Sequence, residues 1–197
     1  MEESFSVGEL IAKAQPGDER TMAALLPLVY SELKMLAARQ LEREDGRGKA
    51  HTLQPTALVH EAFLKMVGND KGWSGRDHFM AVAATAMRQV LVDHSRRKNA
   101  DKRGGGAARA DISLEGLSAS DSGSLTREMR VVELDALLTE LARSSQRAAR
   151  VAEMRLFGGM ESDQIARVLG ISRMTIHRDW QVARAWLAAK MMEGSHV

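Results

Sequence analysis

The chain has no cysteine in its 197 residues. Disulfides and thiolate metal sites are excluded, and the absence fits a reducing cytoplasm, the compartment expected for it. It has only three prolines, and aromatics make up 4% against 44% apolar residues overall. Runs of β-branched residues are few, so the apolar content rests on Leu, Ala, Val and Met, as in an all-α protein. No apolar run approaches the roughly 18–20 residues of a membrane span, and no signal peptide is visible, so no membrane partner is expected.

Signatures of catalysis are missing too. Gly46-Arg47-Gly48-Lys49 lacks the spacing and the following Ser/Thr of a phosphate-binding loop. The triple glycine at 104–106 follows no strand. His60-Glu61 has no second histidine one turn on, so a zinc-protease reading fails and no metal site is expected. Tyr30 sits in an acidic, apolar stretch, where packing is a better account of it than nucleophilic chemistry. The chain is not expected to be an enzyme, nor to need a cofactor or a small-molecule substrate.

What is present is concentrated at 161–187, ESDQIARVLGISRMTIHRDWQVARAWL. This reads as two short helices joined by a tight turn. Ser162 is placed to cap the first, and Ile165, Ala166 and Leu169 share one face. Gly170 gives the turn its backbone freedom. Ser172 is placed to cap the second helix, whose apolar face is Ile176, Trp180, Ala183 and Leu187. The other face carries Arg173, His177, Arg178, Gln181 and Arg184, which suit base edges and phosphates. The pattern is a helix-turn-helix with a recognition helix for the DNA major groove. The plainer alternative is a helical hairpin with a solvated charged face.

Charge is unevenly spread. Residues 1–45 hold five Lys/Arg against nine Asp/Glu, whereas residues 88–103 hold six against two and residues 143–184 eight against four. Two basic regions suggest two contacts with nucleic acid, although such runs also keep helices soluble.

Along the chain, a short helix is expected at 4–14, broken by Gln15-Pro16-Gly17-Asp18. A longer helical region follows at 19–44, in which Pro27 must start a new helix or kink the old one. A polar loop at 44–51 precedes a helix from Pro55 to about 67. Its buried stripe is Val59, Ala62, Phe63 and Met66, leaving His60, Glu61 and Lys65 outward. The loop GNDKGWSGRD at 68–77 exposes Trp73 beside Lys71 and Arg76. A helix from Asp77 to about 98 buries Phe79, Val82, Ala83, Ala86, Met87, Val90 and Leu91. Its polar side and end carry Arg88, Gln89, His94, Arg96, Arg97 and Lys98. Residues 1–100 thus form a first helical domain. Residues 101–125 are rich in Gly, Ala and Ser and read as a flexible linker, able to span roughly 80 Å when extended. Helices at 125–141 and 145–157, ended by Gly158-Gly159, join the helix-turn-helix in a second domain, 126–190.

These features resemble a bacterial RNA polymerase sigma factor of the extracytoplasmic-function (ECF) subfamily of the sigma-70 family. The resemblance covers almost the whole chain. It is carried by QPTALVHEAFLKM at 54–66, HFMAVAATAMRQVLVDHSRRK at 78–98, KRGGG at 102–106 and QIARVLGISRMTIHRDWQVARAWL at 164–187. Ala57 and His60 stand where the region-2.2 helix of most members tends to carry Asp and Gln, so the chain looks like a variant subgroup.

The resemblance implies a region-2 domain, a linker and a region-4 domain. It implies core RNA polymerase and promoter DNA as partners, and leaves an anti-sigma factor open as a third. His60, Glu61 and Lys65 would face the polymerase clamp, unless they are merely solvated. Lys71, Trp73, Arg76, Arg88, Arg96, Arg97 and Lys98 would hold the minus-ten element. Trp73 either stacks on a base there or caps the domain core. In the recognition helix His177, Arg178 and Gln181 would face bases of the minus-thirty-five element, and Arg173, Thr175 and Arg184 would grip phosphates. The implied function is promoter recognition and transcription initiation on a polymerase that does the chemistry. The alternative is a stand-alone helix-turn-helix regulator with an N-terminal dimerisation or sensor domain. A strand-transfer enzyme comes third, because no nucleophile sits in a basic pocket.

Overall fold

The computed structural model describes residue 11 and residues 19–45, 53–67, 72–101 and 131–194. The described residues form seven α-helices and no strand. Apart from Asp101, the residues assigned above to the linker lie outside the described part, as do Lys71 and most of the helix expected at 4–14.

The first half is built from α1 (Glu19–Asp45), α2 (Pro55–Val67) and α3 (Arg76–Asp101). Leu25, Val29, Leu33 and Leu36 recur at three and four on α1 and are buried. They meet Leu58, Val59, Ala62 and Met66 of α2, which also packs on α3 through Phe79, Ala83, Met87 and Val90. Each such Leu contributes about 1.5–3 kcal/mol through its burial. Pro55 opens α2 at the first helical position, where its missing N–H costs nothing. Pro27 neither starts nor ends a helix: α1 runs through it, with the ring on the exposed face. The apolar stripe on either side of it outweighs the one lost backbone bond.

The second half comprises α4 (Val131–Ser144), α5 (Gln146–Leu156), α6 (Ser162–Leu169) and α7 (Arg173–Gly194). α5 lies between α4 and α7 and buries Ala148, Val151, Ala152 and Leu156. Ser145 caps it, its Oγ accepting from the Ala148 N–H at 3.4 Å. It ends at Phe157-Gly158-Gly159, where Gly159 has φ +61° and the Met160 N–H bonds back to the Met154 carbonyl at 3.1 Å.

The two halves touch. α3 packs not only on α1 and α2 but also on α4, α5 and α6. Ala81, Ala84 and Val92 are buried at helical spacing on a second stripe of α3, away from the Phe79–Met87 stripe. The Gln40 amide donates to the Phe157 carbonyl at 3.0 Å. Asp77 accepts from Gln164 at 3.3 Å and from Arg167 at 2.8 Å. Sequence periodicity implies two bodies linked only by a connector. Small residues on α3 and pairings between residues some 90 positions apart dock them against each other. Among the described residues no helix is long and apolar enough to cross a membrane.

Candidate nucleic-acid interface

Local chemistry shapes α6 and α7 into a helix-turn-helix. Glu161, not Ser162, is the N-cap of α6, and the Gln164 side chain accepts from the Glu161 N–H at 2.9 Å. Ser162 is the first helical residue, and its hydroxyl takes a hydrogen bond from Arg155. Gly170 ends α6 in the left-handed conformation at φ 65°, a region that costs a side-chain-bearing residue energy. Ser172 caps α7, its Oγ accepting from the Thr175 N–H at 3.2 Å.

α7 is held from behind. Ile176, Trp180, Ala183 and Leu187 are buried, as their spacing predicts. Asp179 is buried as well, and accepts a forked pair of hydrogen bonds from Arg147 of α5, one of them Nη2 to Oδ1 at 3.2 Å. Arg155 lies over the Trp180 ring at 5.4 Å. These contacts fix the rotation of α7 about its axis and so decide which residues face outward. Sequence periodicity missed Asp179 and Arg147, which are 32 positions apart.

Outward lie His177 and Arg178, both exposed, with Gln181 and Arg184 half-buried beside them. Arg173 is exposed, with Nε 3.4 Å from Asp163 Oδ1. The Thr175 Oγ1 lies 2.9 Å from Ser172 Oγ, so its hydroxyl is engaged in the cap. Among the described residues Arg178 makes no ion pair, which leaves a full positive charge at the centre of the face.

The basic residues of the first half are placed differently. Trp73 is buried at 4% exposure, its ring edge-on to Phe79 with centroids 5.3 Å apart. That corrects the expected exposure: the apolar wall of Phe79 draws the indole inward, so in this arrangement it caps the core. Gly75, at φ 145°, shapes the loop between them. Arg76 is bonded to Glu32, which raises its pKa.

Arg88 does not sit on a solvated side of α3. It shares the stripe of Ala81, Ala84 and Val92, and its side chain is only 15% exposed. Its Nη1 lies 3.6 Å from Asp135 and its Nη2 3.1 Å from Glu153, both in the second half, and the guanidinium lies 5.6 Å from the centre of the Phe157 ring. Arg96 reaches Asp135 at 3.5 Å. Arg97 is exposed and donates to the Asp93 carbonyl at 3.2 Å. Lys71 and the Lys98 side chain lie outside the described part.

On α2, His60, Glu61 and Lys65 are exposed together, and Lys65 pairs with Asp93 of α3 at 2.7 Å. The His60 ring lies 6.5 Å from that of Tyr30. His78 opens α3, its Nδ1 accepting from the Ser74 N–H at 3.1 Å. Burial pushes its imidazole below the usual range, and the positive charge of Arg150 on α5 adds to that. Among the described residues no group of three His, Cys, Asp or Glu is arranged to hold a metal ion.

A family model described as ECF sigma factor matches residues 4–193. No curated protein and no solved structure gives a match.

Proposed function

The chain belongs to the ECF sigma factor family, whose members are transcription initiation factors rather than enzymes, and we propose that it works as a dissociable promoter-specificity subunit of core RNA polymerase. In this reading α7 reads the minus-thirty-five element, with His177, Arg178 and Gln181 toward base edges and Arg173, Thr175 and Arg184 toward phosphates. The outward face of α2, with His60, Glu61 and Lys65, meets the polymerase. The end of α3, with Arg96, Arg97 and Lys98, and its start, with Arg76 and the nearby Lys71, hold the minus-ten strand, while the buried Trp73 supports them from the core. Arg88 joins them only when the halves part, because Asp135 and Glu153 now occupy it.

The observation that carries this reading is the exposed, cationic face of α7, whose orientation is fixed by the buried Asp179 bonded to Arg147 of α5. A stand-alone regulator would use the same face but would not need a polymerase. The purified chain is therefore expected to co-elute with core polymerase at micromolar concentration and to direct transcription from a subset of genomic fragments. Specific DNA binding without any polymerase complex would remove the proposal in favour of the regulator.

A further inference from the structure

The outward face of α7 is not uniformly polar. Met174 is 73% exposed and Val182 is 50% exposed. Isolated exposed apolar side chains are ordinary and need no explanation. These two are placed one turn before and one turn after Arg178, at i−4 and i+4, so the three share one stripe. At about 1.5 Å per residue the stripe covers roughly 12 Å of helix. It lies opposite Ile176, Trp180 and Ala183, which anchor the helix to its domain. Whatever Arg178 touches in a groove, Met174 and Val182 flank.

In the major groove the chemical group that an apolar side chain can recognise is the C5-methyl of thymine; the remaining base-edge features are donors and acceptors. An arginine finds its best partner in guanine, through O6 and N7. We propose that Met174 and Val182 are specificity-determining residues that read thymine methyl groups on either side of the base read by Arg178. This rests on the proposed promoter-binding role of α7 and adds the base class that its two apolar positions select.

The test removes only the methyl group. The full chain bound to core polymerase is used to enrich duplexes from a random-sequence pool, and each enriched thymine in the upstream element is then replaced by deoxyuridine. Deoxyuridine at one flanking position is expected to weaken binding about fourfold, the worth of one buried methyl group. Met174→Ala should abolish that sensitivity at one position, and Val182→Ala at the other. Both side chains are exposed, so both variants should keep the parent's circular dichroism and polymerase co-elution. Deoxyuridine without effect at every position, or unchanged methyl sensitivity in both variants, overturns the inference while leaving α7 as the reading helix. If Arg178→Ala also leaves sequence preference untouched, α7 does not face bases, and the proposed function fails with it.

Discussion

The two basic surfaces of this chain, alike in charge balance, are held in opposite states. On α7 the cation at the centre of the outward face, Arg178, is exposed and unpaired among the described residues. On α3 two cations are engaged across the seam: Arg88, largely buried, meets Asp135 and Glu153, and Arg96, itself exposed, meets Asp135. Charge counted along a sequence measures what a segment carries, not what remains for a partner. An arginine 15% exposed between two carboxylates offers nucleic acid little until those carboxylates leave. The comparison separates a surface ready to bind from one already satisfied within the chain.

The largest expected effect on that contrast is in stability. Arg88→Ala strands Glu153 and leaves Asp135 with Arg96 alone, both carboxylates being under a fifth exposed, and should cost about 3 kcal/mol in thermal or denaturant unfolding. Arg178→Ala should change stability by less than about 0.5 kcal/mol, because it touches nothing buried. Equal losses would mean that the two surfaces are not in different states.

Next in size is base discrimination. Arg178→Ala should lose about 1–3 kcal/mol of preference in the upstream element, roughly 5- to 150-fold, with polymerase co-elution intact. A uniform loss on all sequences would show that Arg178 touches only phosphate.

A smaller effect is expected from Asp135→Asn, which frees part of the charge on Arg88 and Arg96. Affinity for non-specific single-stranded DNA should rise about threefold at low salt and fall more steeply as salt is added. The same measurement on Asp163→Asn, beside the exposed Arg173, should show less, since that pair is solvated on both sides.

The smallest effect is in the titration of His78. Its folded pKa lies below the ordinary value of about 6.5, so its share of stability is present above that value and is lost as pH falls through the folded pKa. Arg150 lowers it from the other half of the molecule, so Arg150→Met should move the folded pKa upward in an NMR titration and soften the loss in acid. No movement would mean that the seam is open in solution.

Elements with local causes were legible in the sequence. Pro55 marked the start of α2, and Gly170 and Ser172 marked the turn and cap of the helix-turn-helix. The buried face of α7 followed from spacing alone. What failed depended on distant partners. Arg88 looked solvent-facing because alanines at 81 and 84 do not announce a second buried stripe. Trp73 looked exposed among polar neighbours because Phe79, which draws it in, lies beyond the turn. The Asp179–Arg147 pair joins two helices whose register no periodicity reveals. Of the two outcomes open at Pro27, a new helix is excluded, since packing on both sides of the ring keeps α1 continuous.

The carboxylates of Asp135 and Glu153 present Arg88 and Arg96 with anionic oxygens, as a nucleic-acid backbone does. Under the proposed function, the second half therefore stands in the place the strand would take. In that reading, parting of the halves at a promoter would exchange one anion for another around Arg88, without leaving its guanidinium bare in the seam. A swap of that kind meets a lower barrier than stripping a charge from an apolar seam.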